Sequence, residues 1–444
     1  MRTIPRISEQ KYIVDRSEHD SLFPEYLKIL EELQYTYPVT KNPEFSQLVN
    51  FEKNKKLPIH RWFYYKQGYS DELVKKLISN SRKMKSESYM LDPFCGVGTT
   101  QVSSQYLGIK SIGLEVNPIA SFASEVKTMN FDALEIKEIR NILKNIHQLL
   151  QKTNLIPKYK KLRDIFTPSQ LSQILMIKGF YENIKNKKLQ KFFKLSYISI
   201  IEDCSNRIKD GNGIKISKNK NLIENIVEYY VTKCDLMIND LKQKSYHSDS
   251  VTIHGSILQD DVFNKLKKYP IHSVMFSPPY ANCFDYCEVS KMEIWLGDFV
   301  YEYRDFDKFR ESAIRSHVNS KFDHTIHHYN HKSDTTASLI NTYNIWNKNI
   351  PDMIRGYFDD MEEVIRRIYL ILKKDDTCFI IVANSSYKGI VVPTDLLLAD
   401  IGTSIGFKVK KIIAARQMKA SSQQIPELKN KTNLMRESVI ILTK

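Results

Sequence analysis

Among its 444 residues the chain has only six cysteines, Cys95, Cys204, Cys234, Cys283, Cys287 and Cys378, and no two of them are spaced C-x-x-C. That spacing argues against a zinc ribbon or a thiol redox motif. Scattered free thiols suit a reducing compartment, so a cytoplasmic protein is expected. No apolar run reaches the ~18 residues a membrane-spanning helix needs. The first residues, Met1-Arg2-Thr3-Ile4-Pro5-Arg6, lack the apolar stretch of a secretory leader, and none is expected. Also missing is Gly-Lys followed by Ser or Thr, the phosphate-binding end of a P-loop.

Hydrophobic residues make up 42% of the chain, enough for a sizeable core. The length exceeds what one small domain needs, which predicts a large α/β domain carrying an inserted module. Lys and Arg number 66 against 51 Asp and Glu, a formal net charge of +15. An excess of that size suits a polyanionic partner, although a lysine-rich solvated surface would give the same total.

The most informative stretch is Ser277-Pro278-Pro279-Tyr280, which follows a strand-like run, Ile271 to Phe276. Two consecutive prolines fix the backbone just past a strand end and remove two N–H donors. Rigid carbonyl oxygens are left beside a hydroxyl and an aromatic ring. Such a corner can accept both hydrogens of an exocyclic amine and stack on the ring that carries it. An ordinary loop exit with a packed tyrosine is the plainer reading of the same four residues.

Upstream, Tyr89-Met90-Leu91-Asp92-Pro93-Phe94-Cys95-Gly96-Val97-Gly98-Thr99-Thr100 reads as a short strand, a turn with two glycines and a helix start. The glycines permit a tight turn and close approach of backbone to a ligand. The helix presents its first N–H groups to the same space. A dinucleotide fingerprint would require a further glycine at position 101, which is Gln. The following strand, Lys110 to Leu114, ends in Glu115-Val116-Asn117-Pro118. An acid at that strand end is placed to hold both hydroxyls of a ribose, and the alternative for Glu115 is a helix cap. The whole constellation predicts a nucleoside-type cofactor.

Asp-Pro-Phe-x-Gly-x-Gly-Thr-Thr, then Glu-x-Asn-Pro, then Ser-Pro-Pro-Tyr resembles the amino-DNA methyltransferases, which use S-adenosylmethionine to methylate cytosine N4 or adenine N6. The resemblance spans about 60–118, 251–297 and 355–444. It implies a Rossmann-like class I methyltransferase, α/β, with a seven-stranded mixed sheet and a helical insertion. It implies duplex DNA as substrate, S-adenosylmethionine as cofactor, no metal, and association with the nucleoid. A cognate restriction endonuclease is the further partner such enzymes suggest. Within the family, Ser at the first position of the tetrapeptide goes more often with cytosine N4, and Asp or Asn with adenine N6. The absence of any Pro-Cys dipeptide argues against cytosine C5 chemistry through a thiolate.

Carried over residue by residue, the resemblance assigns catalysis to Ser277, Pro278, Pro279 and Tyr280. The cofactor falls to Asp92, Phe94, Cys95, Gly96, Gly98, Thr99, Thr100, Glu115, Asn117 and Pro118. His60 to Ser70 resembles the family segment that precedes a helix and closes over the methionine end, so Trp62 and Tyr64 are expected to form an aromatic wall. Packing of the next helix, with Ser70 as its cap, is the alternative. After strand Val251–His254, the loop residue facing the adenine is often Asp directly after Gly255. This chain has Ser256 there, so the contact is left between Ser256 and Asp260.

Two interruptions remain. Residues 119–250 read as an all-helical insertion, with Lys158, Lys160, Lys161, Arg163, Lys185, Lys187, Lys188, Lys191 and Lys194 interleaved with Phe192, Phe193 and Tyr197. Either a DNA-facing module or solvated helix faces would look this way. Residues 298–350 hold His317, His324, His327, His328 and His331 and read as a loop insertion for DNA contact or target recognition. Residues 1–58 read as a helical N-terminal extension. Two rival functions stay open: an RNA N-methyltransferase, and a catalytically silent DNA-binding subunit.

Overall fold

Strand β2 (Tyr89–Asp92) shows how the chain is layered, because its side chains alternate between two cores. Met90 faces one, with Met275 and Phe379, and Leu91 faces the other, with Val274 and Ile380. A strand buried on both faces is the mark of a sheet covered by helices on each side. The structure is a computed structural model, which describes residues 13–64, 68–79, 87–151, 160–210, 213–217, 219–243, 248–322, 330–418 and 432–444.

The strands, in chain order, are β1 (Val39–Lys41), β2, β3 (Lys110–Glu115), β4 (Arg207–Asp210), β5 (Gly213–Ile216), β6 (Ser250–His254), β7 (Ile271–Phe276), β8 (Thr377–Ala383), β9 (Ser385–Tyr387), β10 (Ile390–Val392), β11 (Lys408–Gln417) and β12 (Arg436–Thr443). Eight of them form the main sheet in the order β1-β11-β12-β8-β7-β2-β3-β6. Strand β12 runs antiparallel to both its neighbours and the other pairings are parallel. The seven strands from β11 to β6 have the order expected of the class I methyltransferase fold. The eighth, β1, corrects the expected strand count: residues 39–41 pair with β11 at its open edge.

That pairing also changes the reading of residues 1–58. Helix Arg16–Thr36 is part of the main core through Tyr26, Ile29, Leu30 and Leu33, and the Tyr26 hydroxyl donates to the Val391 carbonyl at 3.0 Å. The described part of the N-terminus is therefore built into the catalytic fold.

The helical insertion also needs correcting. Helix Pro118–Thr128 belongs to the sheet's own layer, packed on β6 and β3, so the insertion starts after it. It contains a hairpin, β4 with β5, where an all-helical insertion was expected. Each strand has only four residues, and the two pair antiparallel with Arg207 opposite Ile216 and Asp210 opposite Gly213. The remainder is helical, Ala133–Lys144, Pro168–Glu182, Lys187–Cys204 and Ile226–Gln243 being its main helices. Phe192, Phe193 and Tyr197 are in the insertion's own core, so they are packing residues. Lys188 pairs with Glu135 and Lys191 with Glu125, both at 2.5 Å, and Lys194 lies over the Phe299 ring. Part of this basic run is therefore engaged inside the protein. Lys158 and the three His from 324 to 328 lie outside the described residues.

Asp240 joins the insertion to the catalytic domain. Its fully buried carboxylate accepts from Ile59 N at 3.0 Å, Trp62 Nε1 at 3.0 Å and Arg61 Nε at 3.1 Å. Ile59 has φ of 63°, a left-handed conformation that a β-branched residue rarely adopts. Bonding of its N–H to Asp240 helps hold it there. Asp240→Ala would leave the buried Ile59 and Trp62 N–H donors, and the partly exposed Arg61 guanidinium, without their acceptor. The expected cost is about 1–3 kcal/mol for each stranded N–H, read as a clear drop in melting temperature. An unchanged melting temperature would refute this account.

Candidate active site

The carboxyl ends of β2, β3 and β7 open onto one cavity. Phe94, Cys95, Gly96, Thr99, Glu115, Asn117, Ser256, Ser277 and Pro279 line it, so both long-range motifs meet in a single space. Strand β2 ends at Asp92, and the chain turns through Gly96 and Gly98 at φ of 51° and 81°. A Cβ added at Gly98 would come within 2.6 Å of Ser124 Oγ, so the turn has no room for a side chain. Helix Thr99–Tyr106 then starts with its N-terminus toward the cavity side of the sheet.

Glu115 is the chief polar group. Gly96 N donates to its Oε2 at 2.9 Å and Asn117 N to its Oε1 at 2.7 Å. Burial pushes its pKa up to about 7, against the pull of those two donors. Asn117 is the N-cap of helix Pro118–Thr128, its Oδ1 accepting from Ile119 N, while its Nδ2 is buried with no hydrogen-bond partner among the described residues. A carboxylate with spare acceptor capacity, an unused amide donor and a glycine turn suit a ribose-bearing ligand. Phe94 supplies apolar wall and is backed by the core residue Phe276, its ring 5.5 Å away.

Several expected residues support the cavity without lining it. Asp92 lies beneath the turn, accepting from Tyr69 Oη at 2.8 Å, Thr100 Oγ1 at 2.5 Å and Phe94 N at 3.0 Å. Burial raises its pKa to about 6. Pro118 opens its helix at the first position, where a missing N–H costs nothing. Pro278 and Tyr280 are outside the lining, and the Tyr280 ring is buried, its hydroxyl donating to Glu437 Oε1 at 2.6 Å. This differs from the open stacking face expected of Tyr280.

The expected aromatic wall is also different. Trp62 is turned into the insertion's core toward Asp240, and Tyr64 is half-exposed against Phe51 and Lys55. Phe51 and Tyr69 line the cavity instead. Ser70 does act as a cap, accepting from Leu73 N at 3.2 Å. Of the two candidates after Gly255, Ser256 is in the wall. Asp260 is exposed on the surface and pairs with Arg367 at 2.8 Å.

Sequence reasoning missed the far wall, built by the 298–350 segment. Phe309, Arg310, Ala313, Ile314, Ser316 and His317 complete the cavity. Arg310 fastens this wall to the rim through Asp285 and Glu288, with Nε donating to Asp285 Oδ2 at 3.0 Å and Nη2 to Glu288 Oε1 at 3.0 Å. Burial lowers the His317 pKa. Spacing along the chain carries no sign of a wall that arrives more than 20 residues after the tetrapeptide.

The sheet order and the cavity at its carboxyl edge define a class I methyltransferase fold. A family profile described as DNA methylase, of the N6/N4 type, matches residues 10–124. The type II methyltransferase M.BsoBI of Geobacillus stearothermophilus is 26% identical, over 94% of this chain and 92% of its own length. M.AvaI of Nostoc sp. is 28% identical over 85% of each, and M.MvaI of Kocuria varians 19% identical over 98% of each, both type II methyltransferases. These matches support an amino-DNA methyltransferase of the restriction–modification type. Enzymes of this family use S-adenosylmethionine as the methyl donor.

The raised Glu115 pKa gives a signed expectation. Between its usual 4.5 and about 7, the folded chain holds a proton that the unfolded chain has lost. The ligand-free protein should lose stability as pH rises through that window. Glu115→Gln should remove most of this loss, leaving the smaller slope from Asp92. Cofactor binding, which needs the ionised carboxylate as acceptor, should weaken below about pH 7 in the wild type and stay weak and flat in the variant. Calorimetric titration and melting curves at pH 6 and 8 check both. A wild-type affinity in the variant would remove Glu115 from the site.

Proposed function

We propose that this enzyme methylates the exocyclic N4 of a cytosine at a specific site in duplex DNA, with the base flipped out of the helix to reach the cavity. The observation that carries this reading is the shared cavity: Ser277 and Pro279 face the same space as Glu115, Asn117 and the Gly96 turn. An atom inside the duplex stack is out of reach of any such recess, so the nucleotide must be extruded. The preference for cytosine rests on Ser277 at the first position of the tetrapeptide.

Glu115, Asn117, Ser256 and the Gly96–Thr99 turn would hold S-adenosylmethionine, with Asp92 and Thr100 bracing the turn from beneath. When bound, the cofactor supplies an electrophilic sulfonium methyl. What the chain adds is directed at the amine. The lone pair of a cytosine amine is delocalised into the ring, which makes it a poor nucleophile. Ser277 Oγ and a backbone carbonyl of the Pro-Pro corner accept its two N–H bonds and favour a pyramidal nitrogen with the lone pair exposed. Acceptors aimed at charge that develops on nitrogen stabilise the transition state more than the ground state. The rigid Pro-Pro corner keeps them in place, which supplies the orientation part of the rate. No protein nucleophile is used, consistent with Cys95, whose thiol pKa burial pushes far above its usual value.

Ser277→Ala should retain cofactor binding and lose about 10²–10³-fold in turnover. Methylated DNA, digested and analysed by nucleoside mass spectrometry, should contain N4-methylcytosine. N6-methyladenine would move the target to the adenine amine, and wild-type turnover in Ser277→Ala would take the corner out of the chemistry.

A further inference from the structure

The far wall of the cavity carries one polar ring that the assigned roles leave unused. His317 lines the cavity and is only 5% exposed. Backbone bonds fix its place beside the tetrapeptide. The Ser316 carbonyl accepts at 3.2 Å from the N–H of Cys283, three residues past Tyr280, and the Val318 carbonyl accepts from Asn349 Nδ2 at 3.0 Å. Ser277, Pro279 and His317 therefore face one space from adjoining segments.

The proton on the ring is placed by a bond within the same turn. Asn319 N donates to His317 Nδ1 at 3.2 Å. A backbone amide can only donate, so Nδ1 is the bare nitrogen and the proton is on Nε2. A protonated imidazole would set a second N–H against that of Asn319, so the turn holds the ring neutral. Burial acts in the same direction, against the nearby Asp285 carboxylate, which is itself paired with Arg310. Among the described residues no acceptor takes the Nε2–H, and it is left for the cavity. In this state the ring can donate, and it cannot take up the proton that a methylated amine releases.

A base seated with its amine at the Ser277 corner presents a ring acceptor next to the carbon that bears the amine. That atom is N3 in cytosine and N1 in adenine. It lies on the Watson–Crick edge, which is free once the base has left its pair. We propose that His317 Nε2–H donates to this ring nitrogen and so fixes the orientation of the flipped base in the cavity. The proposal rests on the reading of the corner as the seat of the amine. The same contact discriminates between bases: thymine carries N3–H and guanine N1–H at that position, donor against donor. A neutral ring also suits the reaction. An imidazolium there would draw the amine's lone pair further into the base and weaken the nucleophile.

The test is a cycle between a side chain and a base atom. Sequencing of genomic DNA that the full chain has methylated maps the site. Two duplexes are then made, one with the natural target base and one with that ring nitrogen replaced by C–H, which is 3-deazacytosine or 1-deazaadenine as the mapped base requires. Single-turnover methyl transfer is measured for the wild type and for His317→Phe, which keeps a planar ring and leaves the N–H of the exposed Asn319 to solvent. The preference for the natural duplex should be about ten- to a hundredfold larger in the wild type than in the variant. Comparing the two ratios removes the effect of the analogue on the amine and on the base pair. Cofactor affinity, measured by calorimetry, should be unchanged. The same ratio in both enzymes, or a defect of the variant confined to cofactor affinity, would overturn the proposal. A residue with only a structural role would slow both duplexes alike, which leaves the ratio unchanged and overturns it too. His317→Leu repeats the cycle if His317→Phe does not fold. Ser277→Ala on the natural duplex separates the two levels. If it keeps the wild-type rate, the reading of the corner fails. If it is slow while His317→Phe keeps the wild-type ratio, only the role of His317 fails.

Discussion

The parallel seam between β2 and β7, with Leu91 opposite Val274, is the constraint on which the site depends. Here the sheet reverses its winding: β2, β3 and β6 run outward on one side, and β7, β8 and the antiparallel pair on the other. Connections diverge from such a point and leave the carboxyl ends of the two strands uncovered, which is where open α/β sheets bind ligands. The glycine turn leaves β2 and the Ser-Pro-Pro-Tyr corner leaves β7. Residues nearly 200 positions apart are thereby brought into one wall by backbone hydrogen bonds, before any side chain contributes.

Around that seam the protein buries an unusual number of carboxylates, and it treats them in different ways. Asp92 and Glu115 are held by neutral donors only, and their pKa values rise. Asp240 and Glu437 each take an arginine together with neutral donors. Of the four only Glu115 lines the cavity and keeps acceptor capacity toward it, and burial raises the Glu437 pKa as well, despite its arginine.

Much of this was legible in the order of the residues because strand ends are marked locally. Asp-Pro after an apolar run, paired glycines, an acid at the next strand end and a double proline after another strand are short-range signals, and Phe94, Cys95, Gly96, Thr99, Glu115 and Ser277, which they mark, all line one cavity. Long-range placement is different. Trp62 and Tyr69 sit in one aromatic stretch, and nothing in its composition says that Asp240, some 180 positions later, turns Trp62 away and leaves Tyr69 for the cavity. Asp260 and Ser256 are equally polar, and only the Arg367 side chain on a distant helix decides that Asp260 faces outward. The β4–β5 hairpin shows a third cause: four-residue strands are too short for periodicity to stand out against a helical background.

The insertion is more firmly joined to the active site than a mere appendage. From the insertion, Asp240 grips Ile59, Arg61 and Trp62, and Lys233 Nζ donates to the Arg61 carbonyl at 3.2 Å. From helix Pro118–Thr128 of the sheet's own layer, Lys127 Nζ donates to the carbonyls of His60 and Phe63 at 3.1 and 3.0 Å, and desolvation drives its pKa well below the usual lysine value. The segment so clamped continues to Gly68 and Tyr69 in the cavity wall, and Tyr69 reaches the Asp92 that supports the glycine turn. The insertion thus grips the chain a few residues before it enters the cavity wall, and from there Tyr69 bonds to the Asp92 beneath the glycine turn.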